Sequence, residues 1–274
     1  MIELPQRVVA RLLNRVRVNQ VQQCMRDGAP VFVKRRRVGA SIVIWFANRF
    51  LALSNSGIRM FVRADEWTDW EIHCAQLLYP DRPVVKAGSG QAVVIPKVRG
   101  ISLREMLRRD DMDVKKAFIL AARELRRVHQ IHCSYYQAAW SHGDLHLDNI
   151  IYDCKAERAV LIDFDTRHEF GIGQTQRHSD DLKVVLLELI ALSDDKWRRL
   201  AAAFIEEYRE GSVLNELSRQ LFVPRGFGRL LWYARTNGSS IHRVEPRLES
   251  LREMSHRAST TARTSSQARP RDES

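Results

Sequence analysis

Two neighbouring segments dominate the sequence: Trp140-Ser-His-Gly-Asp-Leu-His-Leu-Asp-Asn-Ile-Ile-Tyr-Asp153 and Val160-Leu-Ile-Asp-Phe-Asp165. The first contains Asp144 and, five residues later, Asn149, and the second is an apolar run of strand character that leads into Asp163. Phosphoryl transfer from a magnesium nucleotide needs one carboxylate that accepts a hydroxyl proton, together with an amide and a second carboxylate as oxygen ligands of Mg²⁺. Few other chemistries need these residue types at these spacings, so the two segments predict a site for phosphoryl transfer.

The composition is that of a basic globular chain. Its 274 residues suffice for one large domain or two small lobes, and a hydrophobic fraction of 45% is ample for a core. The net charge of +11 and the sequence pI of about 9.9 predict an anionic partner such as a nucleotide, a nucleic acid, an anionic lipid or a phosphorylated sugar. A basic surface that only keeps the protein dissolved explains the charge equally well, so charge alone leaves the partner open.

The cysteines and the apolar runs bear on the location of the protein. The cysteines are scattered, without a CxxC pair or a zinc-ligand spacing, which predicts buried thiols in a reducing compartment. They are Cys24, Cys74, Cys133 and Cys154. The first residues lack the pattern of a signal peptide, and no run approaches the roughly 18 apolar residues of a membrane span. We therefore expect a cytoplasmic protein, with attachment to the inner face of the membrane left open.

The N-terminal part predicts strands around one lysine. A short basic helix is expected over residues 1–14, and a β-hairpin over residues 15–36 turns at Asp27-Gly28, which is a strong turn signal. Lys34 ends the second, alternating strand of this hairpin. A lysine at such a position is usually a solvated edge residue. In a phosphoryl-transfer enzyme it points into the cleft and holds nucleotide phosphates.

Residues 40–53 form an apolar segment with almost no polar face, directly after Lys34-Arg-Arg-Arg37. The segment is too short to span a bilayer and predicts a helix inserted after the lysine strand. Two interpretations remain open. The helix is either buried or self-associating, or it lies in a membrane interface, where its basic flank meets anionic headgroups. In the second case residues 34–53 would contact an anionic membrane surface.

A helix predicted over residues 65–79 carries a carboxylate at the edge of its apolar stripe. Glu71 lies one turn after Trp67, beside that stripe. Such a carboxylate is either an ordinary boundary residue or the partner of an inward-facing cation, for which Lys34 is the obvious candidate. Glu66 competes for this role, but Glu71 lies further into the helix and flanks the stripe.

The rest of the chain changes from strands to helices, with a hinge-like crossing near residues 96–101. From about residue 250 onward Ser, Thr and Arg dominate, which predicts a disordered basic tail. We therefore predict an α+β protein with two lobes. The predicted units are a small β-rich N-lobe over residues 1–97 with an apolar helical insertion at 40–53, a helical C-lobe over residues 98–249, and the tail over residues 250–274.

The two opening segments resemble the catalytic and metal-binding loops of the protein-kinase-like superfamily, through His142-Gly-Asp-Leu-His-Leu-Asp-Asn149 and Ile162-Asp-Phe-Asp165. The HGD form is similar to the atypical branches, which include aminoglycoside and choline kinases, RIO-type kinases and bacterial lipopolysaccharide core kinases. The Asp-Phe-Asp ending looks most like the kinases that phosphorylate 3-deoxy-manno-octulosonic acid or heptose on the lipid A core. The resemblance covers roughly residues 15–210. It implies a two-lobed kinase-like fold that uses ATP and Mg²⁺.

The resemblance also implies a role for each matching residue. Lys34 would contact the α- and β-phosphates of the nucleotide, and Glu71 would pair with Lys34 and fix it. Asp144 would accept the proton of the attacking hydroxyl. Asn149 and Asp163 would hold Mg²⁺.

Further roles follow from the same resemblance for residues around the reacting groups. His142 would brace the catalytic loop. Asp181 would hydrogen-bond the backbone of that loop, although Asp180 fits the sequence equally well. The segment Pro96-Lys97-Val98 would meet the adenine base through its backbone groups.

The sequence departs from ordinary protein kinases at several positions. No glycine occurs between Asn14 and Cys24, so the Gly-rich phosphate loop is missing, and no arginine precedes Asp144. No APE motif follows Asp165, and only about fifteen residues separate Asp165 from Asp181. Position 146 is His, where protein-serine kinases commonly have Lys. These departures favour a small-molecule or glycolipid acceptor over a protein.

The leading expectation is an ATP- and Mg²⁺-dependent phosphotransferase that acts on a hydroxyl of a lipopolysaccharide-type sugar or another small acceptor. The first alternative is an atypical, RIO-like serine/threonine protein kinase that works near nucleic acid, which the positive charge permits. The second alternative is a pseudokinase that serves as a nucleotide-binding scaffold, and the missing glycine loop motivates it. Lys34, Asp144, Asn149 and Asp163 argue against a scaffold, which has no need of all four.

Overall fold

A computed structural model of the chain describes residues 18–88, 91–109, 114–192, 196–236 and 238–267, without the side chains at 263 and 265–267. The predicted α+β class is confirmed, because small antiparallel sheets and helices occupy this part of the chain. The helix predicted over residues 1–14 lies outside the described residues.

Strands predominate in the first part of the chain and helices in the last. The strands are β1 (Asn19–Arg26), β2 (Ala29–Arg36), β3 (Ile58–Met60), β4 (Val85–Ala87), β5 (Ala92–Pro96), β6 (Ile101–Ser102), β7 (His132–Cys133), β8 (Ala138–Ala139), β9 (Ile150–Asp153), β10 (Arg158–Leu161) and β11 (Thr166–His168). The helices are α1 (Ala40–Leu53), α2 (Ala64–Leu78), α3 (Leu103–Arg109), α4 (Val114–Val128), α5 (Gln174–Ile190), α6 (Lys196–Tyr208), α7 (Gly211–Gln220), α8 (Phe227–Arg235) and α9 (Ile241–Gln267). A 3₁₀ turn over Leu147–Asn149 leads into β9.

The sheet that carries Lys34 is antiparallel, in the order β1-β2-β5-β4. β1 and β2 form the predicted hairpin, in which Arg26 pairs with Ala29 across the turn Asp27-Gly28. Both turn residues have positive φ angles, 50° and 76°, as in the type I′ turn that an Asp-Gly pair favours. Because β2 lies between β1 and β5, Lys34 is held by the middle of the sheet and not by its edge.

The predicted helix over residues 40–53 is confirmed as α1, but the helix is not buried. Ala40 and Ile44 are its buried side chains, and with Val18 they form a small core separate from the main one. Asn48 fastens the helix to β3, because its side chain donates to the Met60 carbonyl at 2.9 Å and accepts from the Met60 amide at 2.8 Å. The interpretation of α1 as a buried helix is therefore wrong. Among the described residues, no helix is both long and apolar enough to cross a bilayer.

The main hydrophobic core continues from α2 into the C-terminal helices. In α2 the buried positions Trp67, Trp70, Glu71 and Cys74 follow helical spacing, so Glu71 shares the face that packs into the core. α5 is buried on nearly all sides from Arg177 onward, as expected for a helix in the middle of a helical layer. The core therefore brings an acidic side chain of α2 beneath the sheet.

The last helix corrects the prediction of a disordered tail. α9 continues to Gln267, so residues 250–267 are helical, and the predicted boundary at residue 249 falls inside the helix. The buried face of α9 follows helical spacing through Val244, Leu248, Leu251, Ser255 and Ser259. Small hydroxyl side chains on that face let the helix lie close along α7, which the composition alone did not reveal. Residues 268–274 lie outside the described residues.

The prediction of buried cysteines is correct for two of the four residues. Cys74 and Cys133 are buried, whereas Cys24 and Cys154 are exposed. All four are free thiols.

Candidate functional site

The loop that carries Asp144 is fastened to α5 by Asp181. Asp181 Oδ2 accepts the His142 amide and Oδ1 accepts the Gly143 amide, each at 2.8 Å. Burial alone raises the pKa of a carboxyl, but the hydrogen bond from His129 and the nearby imidazoles outweigh it and lower the pKa of Asp181 to about 2. Asp181 is therefore a buried, ionised anchor, and the predicted contact with the loop backbone is present.

The alternative anchor, Asp180, contacts a different set of groups. Its carboxylate lies 2.6 Å from Lys183 Nζ and 3.5 Å from the Arg235 guanidinium. Sequence left Asp180 and Asp181 as equal candidates, and the hydrogen bonds decide for Asp181.

Gly143 has a φ of 88°, a conformation that side chains disfavour. A Cβ atom at this position would lie 3.2 Å from the Arg167 carbonyl carbon and 3.2 Å from Thr166 Oγ1. An arginine here would be both strained and crowded. The missing arginine before Asp144 therefore has a local steric reason.

His142 joins this loop to the segment that carries Asp163. Its Nε2 donates to the Ile162 carbonyl at 3.0 Å, and its Nδ1 accepts the Asp144 amide at 3.4 Å. Burial lowers the pKa of His142, so the ring is neutral, as one donating and one accepting nitrogen require. The predicted bracing contact of His142 is present.

Asp144 shares an imidazole with Glu188 of α5. His146 Nε2 lies 2.9 Å from Asp144 Oδ1, and His146 Nδ1 lies 2.7 Å from Glu188 Oε1. Burial alone lowers the pKa of a histidine, but the two carboxylates outweigh it and raise the pKa of His146 to about 10. Burial would raise the pKa of Asp144, but the charge of His146 outweighs it and lowers that pKa. At neutral pH an imidazolium therefore lies between two carboxylates.

Glu188 extends these contacts toward α3. Its Oε2 accepts the Leu147 amide at 2.8 Å, and its Oε1 accepts Arg104 Nη2 at 2.6 Å. Arg104 Nε in turn donates to Asp148 Oδ2 at 2.5 Å. We call Asp144, His146, Glu188 and Arg104 the His146 network. Sequence reasoning missed its two outer members, because nothing local shows which distant loop they meet.

A second group gathers around Lys34. Lys34 Nζ lies 3.0 Å from Glu71 Oε2 and 2.8 Å from Asp165 Oδ1, and it also donates to Asp163 Oδ1. The predicted pairing of Lys34 with Glu71 is therefore present. Burial alone lowers the pKa of a lysine, but the three carboxylates outweigh it and hold the pKa of Lys34 well above its usual value. We call these four residues the Lys34 cluster.

Asp165 is a member of this cluster that sequence analysis used only as a family marker. Its carboxylate accepts Asn19 Nδ2 and Trp67 Nε1, each at 2.6 Å. Burial and the nearby charge of Asp163 raise the pKa of Asp165, and burial raises the pKa of Glu71 to about 7. The signal in the sequence that could have placed Asp165 in this cluster is its position two residues after Asp163.

Two oxygen donors, Asp163 of the Lys34 cluster and Asn149 beside it, fit a hard cation. Asp163 keeps 40% of its side chain exposed, more than Glu71 or Asp165, and its φ of 70° is rare for a residue with a side chain. Asn149 donates its Nδ2 to the Asp144 carbonyl at 3.0 Å, which directs the amide oxygen to act as an acceptor. Both side chains line the same cleft. A carboxylate and an amide oxygen are the donors that Mg²⁺ prefers.

The cleft has a volume of about 870 Å³ and adjoins both groups. Its polar lining includes Lys34, Asp144, Asn149 and Asp163, together with Arg235 of α8, which sequence reasoning missed. The apolar lining comes from Val18 and from β1, α1, β3 and α8. Its other residues are Val21, Val43, Phe46, Ala47, Phe50, Leu51, Ile58, Met60, Leu230, Leu231 and Ala234. Charged side chains and many apolar side chains therefore line the same cleft.

The segment Pro96-Lys97-Val98 is not among the residues that line this cleft. Pro96 is paired with Val31 in the sheet, and the Lys97 amide donates to the Pro30 carbonyl at 3.0 Å. These backbone groups are thus partly engaged within the sheet. The assignment of the segment to adenine stays a prediction.

A scan against protein-family models finds no match, and no curated protein matches the chain. The interpretation of the site therefore depends on the residues of this chain alone.

Proposed function

We propose that the chain is a phosphotransferase of the two-lobed, kinase-like fold, which transfers the γ-phosphoryl group of ATP to a hydroxyl of a sugar or another small acceptor. The observation that carries the proposal is the meeting of Lys34, Asp144, Asn149 and Asp163 in one cleft, although they come from distant parts of the chain. Support for the two lobes comes from the sheet β1-β2-β5-β4 with α2 on one hand, and the helical layer around α5 on the other.

In the proposed reaction a bond forms between the acceptor oxygen and the γ-phosphorus, and the bond from that phosphorus to the bridging oxygen breaks. The nucleoside diphosphate leaves, and Asp144 takes the acceptor proton. Because the pKa of Asp144 is lowered, the residue is ionised at neutral pH and a weak base. Asp144 therefore orients the hydroxyl first and accepts its proton late, as a loose transition state allows.

Cationic side chains border the path of the phosphoryl group. Lys34 supplies a permanent positive charge for the nucleotide phosphates, and the His146 imidazolium supplies a second charge beside Asp144. Asp163 and Asn149 would hold Mg²⁺, which when bound screens the phosphate charges. Lys34 must exchange part of its bonding with Asp163 and Asp165 for bonding to phosphate when nucleotide enters.

The length of the segment after Asp165 favours a small acceptor. β11 ends at His168 and α5 begins at Gln174, so a few residues join them. Ordinary protein kinases dock peptides on a much longer loop in this position. This observation supports a sugar or other small acceptor over a protein.

The test separates binding from turnover with two matched substitutions. Asp163→Asn is expected to remove the Mg²⁺-dependent part of ATP affinity, and asparagine tolerates the positive φ of this position. Asp144→Asn is expected to keep ATP affinity and to lower phosphoryl transfer by about a hundredfold or more. Calorimetry with ATP measures the affinity, with and without Mg²⁺. Transfer of labelled phosphate to a panel of sugars, including lipopolysaccharide core sugars, measures the turnover.

Asp148→Asn is the control, because Asp148 lies in the same loop and binds Arg104 at the surface. It should leave both ATP affinity and transfer close to wild type. Equal loss of ATP affinity in Asp144→Asn and Asp163→Asn would contradict the proposed division of roles. ATP binding without transfer to any acceptor would favour a nucleotide-binding scaffold instead.

A further inference from the structure

α1 and α8 expose a continuous set of large apolar side chains beside the cleft. The helices touch through Phe50 and Phe227, whose ring centroids are 6.4 Å apart. The exposed side chains are Ile42, Val43, Trp45, Phe46 and Leu53 of α1 and Phe227 of α8, and we call them the α1–α8 surface. Phe46 is 63% exposed and Trp45 is 48% exposed, values typical of charged and not of aromatic side chains.

The outer stripe of α1 is amphipathic in a specific way. Ile42, Phe46, Arg49 and Leu53 follow one another at intervals of four, three and four residues, so they share one side of the helix. The Arg49 guanidinium lies 5.0 Å from the Trp45 ring centroid. Tryptophan and arginine are the residues that sit together at the headgroup level of a bilayer, with the apolar parts below and the charge above.

The chain segments that supply this surface carry charged residues of a single sign. Residues 28–64 contain seven Lys and Arg residues and no Asp or Glu, and residues 217–244, which include α8, contain five Arg residues and no Asp or Glu. Arg35, Arg37 and Arg49 are exposed. Clusters of such cations next to apolar side chains are attracted to anionic lipid by about 1 kcal/mol per residue near the surface.

Because these segments carry only positive charges, a second copy of the chain is a poorer partner for the α1–α8 surface than an anionic bilayer. In a two-fold symmetric dimer the surface would face itself, so the arginines of these segments would meet those of the second copy, and neither segment offers a carboxylate to pair with them. An anionic bilayer supplies both the opposite charge and the apolar layer. We propose that the α1–α8 surface docks on an anionic lipid bilayer, with its aromatic side chains in the interface and its arginines among the headgroups.

The docked orientation has a consequence for the cleft. Val43 and Phe46 belong to the surface and also line the cleft, so the cleft opens next to the bilayer. An acceptor hydroxyl carried by a membrane lipid would thus be presented to Asp144, and this consequence alone rests on the proposed function. Docking itself needs neither nucleotide nor chemistry.

The test is co-sedimentation of the full chain with vesicles, without nucleotide. Wild type should bind vesicles of equal parts phosphatidylglycerol and phosphatidylcholine, and bind pure phosphatidylcholine much more weakly. The double substitution Trp45→Ser with Phe46→Ser should weaken binding by roughly tenfold or more, since one buried large apolar side chain corresponds to about that factor. Phe170→Ser is the matched control, because Phe170 is 70% exposed but lies outside the surface, and it should bind like wild type.

A second pair of variants keeps the test decisive if the double substitution disturbs folding, which circular dichroism reports. Arg37→Glu with Arg49→Glu reverses exposed charges at the surface, whereas Arg199→Glu with Arg123→Glu reverses exposed charges elsewhere. The first pair should abolish binding to anionic vesicles and the second should spare it.

The proposal fails if wild type does not sediment with anionic vesicles, or if Phe170→Ser weakens binding as much as the surface variants. It also fails if gel filtration shows a dimer that the surface variants dissociate, and neither the wild type nor any variant sediments with vesicles. Asp144→Asn should bind vesicles like wild type, so failure of docking is distinguishable from failure of the phosphotransferase proposal.

Discussion

The Lys34 cluster and the His146 network each hold one cation between carboxylates that come from distant parts of the chain, but they secure its charge differently. Lys34 is 5% exposed, and its charge starts from a lysine pKa far above neutral pH, which the three carboxylates hold high against the effect of burial. The His146 side chain is 31% exposed, and the ring is charged because Asp144 and Glu188 hold its proton. Carboxylates offset the effect of burial on both charges, but the ordinary pKa of a lysine lies far above neutral pH and that of a histidine lies near it, so the charge of His146 depends more closely on its neighbours.

Because of this difference, we expect the two groups to respond differently to substitution and to pH. The loss of Lys34 exposes three buried or half-buried acids to one another, so the folded state suffers directly. The loss of His146 leaves Glu188 with Arg104 and the Leu147 amide as partners. We therefore expect the Lys34 cluster to dominate stability, and the His146 network to respond to pH.

Replacement of Lys34 by Met should have the largest effect. Methionine keeps most of the stem but removes the charge that separates Glu71, Asp163 and Asp165. Removal of one partner of a buried ion pair lowers the unfolding free energy by about 3–5 kcal/mol, and the exposure of Asp163 places this case at the lower end. Urea denaturation followed by circular dichroism measures the loss.

Lys86→Met is the matched control, because Lys86 also lies on a strand but forms its ion pair with Asp69 at the surface. Exposed pairs contribute about 0–1 kcal/mol. The deficit of Lys34→Met should grow with pH, since Glu71 can take up a proton when Lys34 is absent. In the wild type the folded pKa of Glu71, about 7, lies above its usual 4.5, so the contribution of Glu71 to stability is full below pH 4.5 and is lost as the pH rises through 7. Without Lys34 the pKa of Glu71 rises further, so the deficit of the variant grows as the pH rises above 7. Equal losses in the two lysine variants would overturn the assignment.

Replacement of His146 by Gln should have a smaller effect that depends on pH. The folded pKa of His146, about 10, lies above its usual 6.5, so the folded state keeps a proton that the unfolded state releases between these values. The stability from His146 is therefore full below pH 6.5 and is lost as the pH rises through 10. The difference in unfolding free energy between wild type and His146→Gln should shrink across that window. His132→Gln, at an exposed position on β7, controls for the loss of a histidine, and a difference that stays constant with pH would contradict the imidazolium.

The Lys34 cluster was in part predictable because both partners follow local periodicity. Lys34 ends an alternating strand and Glu71 flanks an apolar helical stripe, so the period of each element indicates which way the side chain faces. Glu188 follows no such rule. It lies in the apolar second half of α5, seven residues after Asp181, and only the tertiary packing of α5 against the 3₁₀ turn shows that it meets His146 and Leu147.

Composition alone was a poor guide to two segments, the apolar helix α1 and the Ser- and Thr-rich end of the chain. The bounds of α1 were predictable, but a segment without a polar face is compatible with burial and with an interface, and its neighbours alone decide. The end of the chain was predicted to be disordered because it is rich in Ser and Thr. In α9 the serines at 255 and 259 instead extend a buried face that began with Leu248 and Leu251, where a small side chain is what close packing requires.

Substitution of Glu188 and of Arg104 by Gln should produce the smallest effects, and these should have opposite signs. Glu188→Gln removes a carboxylate 2.7 Å from His146 Nδ1, so the pKa of His146 should fall. The fall should be partial, because Asp144 still stabilises the protonated ring. Arg104→Gln removes a cation that binds the same carboxylate at 2.6 Å, so the pKa of His146 should rise slightly. Titration of the His146 ring resonances by nuclear magnetic resonance measures both shifts. Shifts of the same sign would mean that packing, and not charge, holds the imidazole in place. Opposite shifts would show that the pKa of the cation beside Asp144 is tuned by the charges of residues that lie outside the cleft.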